Sequence, residues 1–243
     1  MIAFVLLLGA PLPKTLFAVQ QPFRTSTLGV RVDVLVSDGR KPVAGLSESD
    51  FELRDNGVAQ SITIVDGSTL PINVVLALDV SASTTGERQA DLIAGSEAML
   101  DGLQPDDRVA LTTFNHTVSP TVGLSSSIAA IRTALSRLSP SGRTSVIDAS
   151  YVALTTSLAE PGRTVVIICT DGVDISSWLR PEDVVESAKR SNAVAYAVTA
   201  HDTRSTQFLE ALTDTTGGDV LRVTSSATLR GAERFWKNSV TAT

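Results

Sequence analysis

Two short runs in this chain are almost wholly apolar: Ile72–Leu78 (INVVLAL), unbroken from Val74 onward, and Val165–Cys169 (VVIIC). A strand exposed on one face alternates apolar and polar residues, so an unbroken run needs cover on both faces. The usual solution is a parallel sheet between two layers of helices, with a crossover helix between successive strands. The remaining sequence supplies those helices. Ile128, Ile131, Leu135 and Leu138 recur at intervals of three and four, as do Ile147, Tyr151, Leu154 and Leu158, which is the spacing of an amphipathic helix. Ser125, Ser126 and Ser127 stand where the first of these needs a cap. Leu92, Met99 and Leu103 mark an earlier helix, and Val109–Phe114 a further strand. Helices near 181–191 and 205–213 then alternate with strands at 193–199 and 219–224, and a last helix is predicted over 227–238. The expected fold class is α/β: a doubly wound, mostly parallel, Rossmann-like sheet flanked by helices.

The sequence before Pro71 has a different character. Leu28, Val30, Val32, Val34 and Val36 alternate strictly, the pattern of a half-buried strand. Asp38-Gly39 supplies a turn, and Asn56-Gly57 lies between Phe51-Glu52-Leu53 and Ile62-Thr63-Ile64-Val65, a hairpin signal. Residues 24–68 therefore read as a small β-rich, sandwich-like module. Residues 1–20 open with the apolar stretch MIAFVLLL, too short to span a membrane and read as a signal peptide cleaved after Ala18. Export to the periplasm or the exterior follows; a cytoplasmic location follows if the stretch is instead a buried first strand.

In an open α/β sheet, ligands bind beyond the carboxyl ends of the strands, where the strand order reverses. Asp79-Val80-Ser81-Ala82-Ser83 follows the first apolar run and Thr170-Asp171-Gly172 the second, while Gly142-Arg143-Thr144 opens the helix containing Ile147. Three loops thus bring two carboxylates and several hydroxyls to one sheet edge. In an extended, curling loop, Asp79, Ser81 and Ser83 can point to the same side. The composition narrows what they could hold: one Cys and two His, against 27 Ser, 27 Thr, 17 Asp and 9 Glu. A disulfide framework or a Cys-based metal site within one chain is excluded, and a hard cation with oxygen ligands remains. Mg2+ is expected, with Mn2+ or Ca2+ as alternatives. Neutral hydroxyl ligands leave such an ion electrophilic, open to an Asp or Glu carboxylate from a protein partner. The net charge of −6, without a run of Lys and Arg, argues against a nucleic-acid surface.

The D-x-S-x-S pattern, followed on later loops by Thr144 and by T-D-G, resembles the von Willebrand factor type A domain over residues 70–240. That resemblance implies a metal ion-dependent adhesion site and a non-enzymatic binding module. Ser81, Ser83 and Thr144 would bind the metal directly, and Asp79 and Asp171 largely through water. The commonest first loop of the family has Gly where this chain has Ala82, and often Met where it has Thr84; neither is a ligand position. The preceding segment VDVLVSDGRKPVAGLSESDFELRDNG resembles the β-rich module of the bacterial VWFA-related group, which often follows a signal peptide.

Other polar residues have simpler readings. Asp148 and Asp174 are expected to be capping or solvated carboxylates, and His116 an exposed residue in an Asn-His-Thr turn. Cys169 is a small apolar residue of a buried strand. Trp178 is a packing residue, with a place on a partner surface as the alternative. Two other functions are alternatives. A Mg2+-dependent phosphohydrolase of the haloacid dehalogenase type also ends its first parallel strand in an Asp, but it needs a second Asp where this chain has Ser81. A structural scaffold with a vestigial metal site is the third reading.

Overall fold

The computed structural model describes residues 36–38, 41–43, 45–63, 71–158, 162–171, 173–200 and 206–223. All fall within one compact unit, residues 34–243. The expected signal segment, residues 28–35 of the alternating run, Gly172 and the helix at 227–238 lie outside the described residues.

Short antiparallel ladders come first. Strand β1 (Ser37–Asp38) pairs with β2 (Lys41–Pro42), and β3 (Leu53–Asp55) with β4 (Val58–Gln60). Between β3 and β4, Asn56 and Gly57 have φ of 48° and 82°, the twice-positive geometry of a two-residue hairpin turn. So tight a turn makes residues 58–60 the partner strand, in place of the 62–65 run; Ile62 and Thr63 form no strand.

The main sheet contains β5 (Ile72–Asp79), β6 (Arg108–Phe114), β7 (Val118–Ser125), β8 (Arg163–Thr170), β9 (Ala193–Ala200) and β10 (Val220–Val223). Their spatial order is β10-β9-β8-β5-β6-β7. All neighbours are parallel except β7, which returns antiparallel beside β6 through a turn at residues 115–117. Sequence reading did not anticipate β7. It holds Pro120 and Gly123 and lies largely exposed at the sheet edge, so it carries no apolar period. Ser125 therefore ends a strand, and its hydroxyl accepts the Ser127 N–H at 3.0 Å.

Helices α1 (Glu87–Asp101) and α2 (Ile128–Leu135) cover one face, and α3 (Val146–Leu158), α4 (Pro181–Ala188) and α5 (Gln207–Thr216) the other. The period of two along β5 divides the core between them. Val74, Leu76 and Leu78 pack with Met99, Leu100, Ile131 and Leu135, while Val75 and Ala77 pack with Ala149, Ala153, Val184 and Leu209. Burying each such Leu or Val side chain is worth about 1.5–3 kcal/mol, which explains why apolar residues dominate both runs, with buried Asn73 as the exception. Helix α3 corrects one expectation. Its buried residues are Val146, Ile147, Ala149, Ser150, Ala153 and Leu154, so Ile147 and Leu154 are buried as expected, whereas Tyr151 and Leu158 are 38% and 54% exposed. Small side chains let this helix lie close against the middle of the sheet.

The chain leaves β5 toward β6 and later crosses back to place β8 on the other side of β5. The carboxyl ends of β5 and β8 are thus neighbours at the point where strand order reverses.

Candidate metal centre

Asp79 is the last residue of β5 and is fully buried. Its two oxygens are held from different elements. Oδ1 accepts the Ser81 N–H at 2.8 Å, and Oδ2 accepts the Thr170 hydroxyl at 2.6 Å from the end of β8. Burial pushes its carboxyl above the ordinary value of 3.8; the hydrogen bonds of Ser81 and Thr170 pull it down, and the neighbouring Asp171 charge adds to the rise. A buried carboxylate with a raised pKa is one whose ionised form lacks a counter-charge.

From Ser81 a chain of oxygens runs outward. Ser81 Oγ lies 3.0 Å from Ser83 Oγ, and Ser83 Oγ donates to Asp171 Oδ1 at 2.9 Å. The second Asp171 oxygen accepts from Arg88 Nη1 at 2.8 Å. Ser81 is buried and Ser83 exposed, so the cluster opens from the sheet edge to solvent. The turn at Ala82–Thr84 keeps its shape because the buried Thr84 hydroxyl donates to the Ser81 carbonyl at 2.8 Å. This gives the residue that replaces the family's Met a clear task.

The second loop is joined to the first through backbone. Ser141 N–H donates to the Val80 carbonyl at 2.8 Å, and Ala82 N–H to the Gly142 carbonyl at 3.1 Å. Gly142 has φ of 78°, and a Cβ there would stand 2.3 Å from His116 Nδ1. A side chain at 142 would therefore strain the backbone and push the imidazole away. Thr144 is 4% exposed, and its carbonyl accepts the Ile175 and Ser176 N–H groups, each at 3.1 Å. The five residues singled out in the sequence thus lie on three loops tied together by hydrogen bonds: Asp79, Ser81 and Ser83 to Asp171 by side chains, and the Thr144 loop by backbone.

Asp148 and Asp174 are capping groups, as expected, and they cap reciprocally. Asp174 accepts the Ile147 N–H at 3.0 Å at the start of α3, while Asp148 accepts the Trp178 and Leu179 N–H groups at 3.0 and 2.9 Å. His116 is exposed at the β6–β7 turn. Cys169 is buried, and burial together with the Asp79 charge pushes its thiol up to about 12. Trp178 is not a packing residue: it is 93% exposed.

The donor set is carboxylate and hydroxyl throughout, which suits a hard cation. Among the described residues, no group of three or more His, Cys, Asp and Glu comes together that could hold a metal. A cavity of about 400 Å³ opens between α2 and strands β6 and β7, and one of about 650 Å³ among α3, α4 and α5; neither is lined by Asp79, Ser81, Ser83, Thr144 or Asp171. Two partners of the cluster escaped sequence reading. Thr170, at the end of β8, has no sequence signal apart from its place beside Asp171. Arg88 had a usable signal. A cation in the first turn of a helix opposes the helix dipole, so it should be answering a carboxylate.

A family model described as the von Willebrand factor type A domain matches residues 73–234. No curated protein matches the chain. Among solved structures, a von Willebrand factor type A protein from Catenulispora acidiphila aligns with TM-score 0.63 at 19% identity, covering 71% of this chain and 43% of that one. The vWF domain of the type V pilus tip protein Mfa5 from Porphyromonas gingivalis gives 0.60 at 13%, covering 71% and 95%. Proximal thread matrix protein 1 from the mussel byssus, with a zinc-occupied MIDAS motif, gives 0.63 at 19%, covering 73% and 47%. At these identities the structural likeness establishes the fold, and the matched family model covers the entire three-loop cluster. The chain belongs to the von Willebrand factor type A domain family.

Proposed function

We propose that this chain is a non-enzymatic, metal-dependent binding module. Asp79, Ser81, Ser83, Thr144 and Asp171 hold a divalent cation, Mg2+ foremost, and the cation recognises an Asp or Glu carboxylate on a protein partner. The observation that carries this reading is the run of hydrogen bonds from buried Asp79 to the Ser81 N–H, and from the Ser81 hydroxyl through that of Ser83 to Asp171. When bound, the ion supplies a positive centre that attracts a carboxylate; the chain's own residues orient it and keep the inner carboxylate away from water. A mussel relative with a zinc-occupied MIDAS motif and a pilus-tip relative support the same reading. Hydrolysis of a phosphate ester is disfavoured because Ser81 stands where that chemistry needs its second Asp. We further assign residues 1–20 to a signal peptide, 24–68 to a β-rich module and 70–240 to the binding domain, placing the protein outside the cytoplasm. Among the described residues, no helix is long and apolar enough to cross a membrane.

The test is thermal unfolding with Mg2+ and with EDTA. A ligand that binds only the folded state raises the melting temperature, so Mg2+ should raise it and Asp79→Ala should abolish the rise. Unchanged melting of the natural chain, with calorimetry showing no heat of binding, refutes the assignment.

A further inference from the structure

The loop that follows Asp171 is unusual for what it leaves in water. Val173, Ile175, Trp178 and Leu179 are 42%, 61%, 93% and 38% exposed. Single exposed apolar residues are ordinary, but four within seven positions beside a candidate site are not. Trp is also the residue most enriched at binding hot spots.

This loop is held tightly. The Ile175 and Ser176 N–H groups bind the Thr144 carbonyl, and the Ser176 hydroxyl does so too, at 2.9 Å. Ser177 is held by Asp174 through both its N–H at 3.1 Å and its hydroxyl at 2.6 Å. Asp148 takes the N–H groups of Trp178 and Leu179. Backbone so fully satisfied loses little further freedom on binding, which is the usual cost of docking through a loop. The loop is also continuous with the metal centre, because Thr144 offers its carbonyl to Ile175. The site also carries cations: Arg88 keeps 57% of its side chain exposed while paired with Asp171, and Arg143, next to Thr144 in sequence, is exposed and makes no ion pair among the described residues.

The geometry points to a two-part recognition surface: the metal and its arginine rim take a carboxylate, and the 173–179 loop takes an apolar side chain beside it. The partner is therefore a protein segment in which Asp or Glu is flanked by large apolar residues. This rests on the metal-dependent reading above, and it adds which acidic segments are chosen. Trp178 and Ile175 act as specificity-determining residues, outside the set that holds the ion.

The experiment uses the full chain and three sets of immobilised, end-blocked nonapeptides: a central Asp flanked by Leu and Phe, a central Asp flanked by Ser and Gly, and the first set with Asn for Asp. Retention is read by surface plasmon resonance in Mg2+ and in EDTA. The apolar-flanked Asp set should be retained about tenfold better than the Ser/Gly set, the difference expected when one hot-spot contact is made or lost. Trp178→Ser should erase that preference while the Mg2+-induced rise in melting temperature persists; Ile175→Ser should weaken it. Equal retention of the two Asp sets, no retention of any set, or a preference that survives Trp178→Ser and Ile175→Ser together would overturn the inference. A preference lost in Trp178→Ser but indifferent to EDTA and to Asn for Asp would support the apolar loop and overturn the metal reading instead.

Discussion

Arg88 offers the sharpest quantitative test of the site. Its guanidinium lies 2.8 Å from Asp171 Oδ2, with side-chain exposures of 57% for Arg88 and 10% for Asp171. At that distance Coulomb's law gives about 1.5 kcal/mol even with the dielectric constant of water. Ordering the long side chain offsets part of this, and exposed pairs measure about 0.2–1 kcal/mol; the sheltered Asp171 places this one near the top, at about 1 kcal/mol. In the metal-free chain Arg88 is the cation that neutralises Asp171. A divalent ion at Asp171 takes over that role, so whatever Arg88 contributes without metal opposes metal loading. Replacing it with Met, which keeps the helix propensity and much of the stem, should have two effects of opposite sign. In EDTA the melting temperature should fall, by roughly 2–4 °C for about 1 kcal/mol in a chain of this size. Mg2+ affinity should rise by about fivefold, the same free energy carried around the cycle. Arg88→Lys should return both toward the natural values. The assay is a calorimetric or thermal-shift titration with MgCl2. Weaker Mg2+ binding by Arg88→Met would show that Arg88 positions Asp171 for the metal instead of competing with it.

Three further outcomes follow from the same geometry. Because the folded-state pKa of Asp79 is raised above its ordinary 3.8, the metal-free folded chain holds a proton that the unfolded chain has released across the window between those values. This carboxyl's contribution to stability therefore grows as pH falls from the raised value toward 3.8 and is lost as pH rises; urea unfolding of Asp79→Asn against the natural chain in EDTA should show that component disappear, stability near neutral pH increase and the Mg2+ response vanish. Among the described residues the buried Thr199 hydroxyl has no hydrogen-bond partner, so Thr199→Val should stabilise the chain by about 1 kcal/mol, whereas the same change at Thr170, which donates to Asp79, should cost about 1–3 kcal/mol; denaturant midpoints separate the two. Cys169, with its thiol pushed up to about 12, should resist iodoacetamide at pH 8 in the folded chain and react in urea, and rapid labelling without denaturant would contradict its place in β8.

The central strands were legible because their burial is nearly total: β5 is buried at all eight positions, and from Val74 to Leu78 that burial is met by five successive apolar residues. Two of the three site loops were legible for a related reason, since those carrying Asp79 and Asp171 begin where such a run stops. What escaped was decided by distance instead of polarity. Helix α3 turns Ala149, Ser150 and Ala153 to the sheet because the gap is narrow, and a hydropathy pattern favours the larger Tyr151 and Leu158. Strand β7 draws its order from pairing with β6, not from apolar residues of its own. The Arg88–Asp171 pair joins positions 83 residues apart, and no local spacing announces it.

The lateral margins of the sheet bear on whether copies of this chain could join edge to edge. An open strand is a template on which another chain can extend a ladder. On one side the template is β10, only four residues long. On the other it is β7, where Pro120 removes a donor and register shifts break the pairing with β6 between Val109 and Thr112. Irregularity of this kind discourages edge-to-edge stacking. Copies crowded together would find poor purchase along their flanks, and self-association that straightened β7, as by Pro120→Thr, should show first as concentration-dependent aggregation.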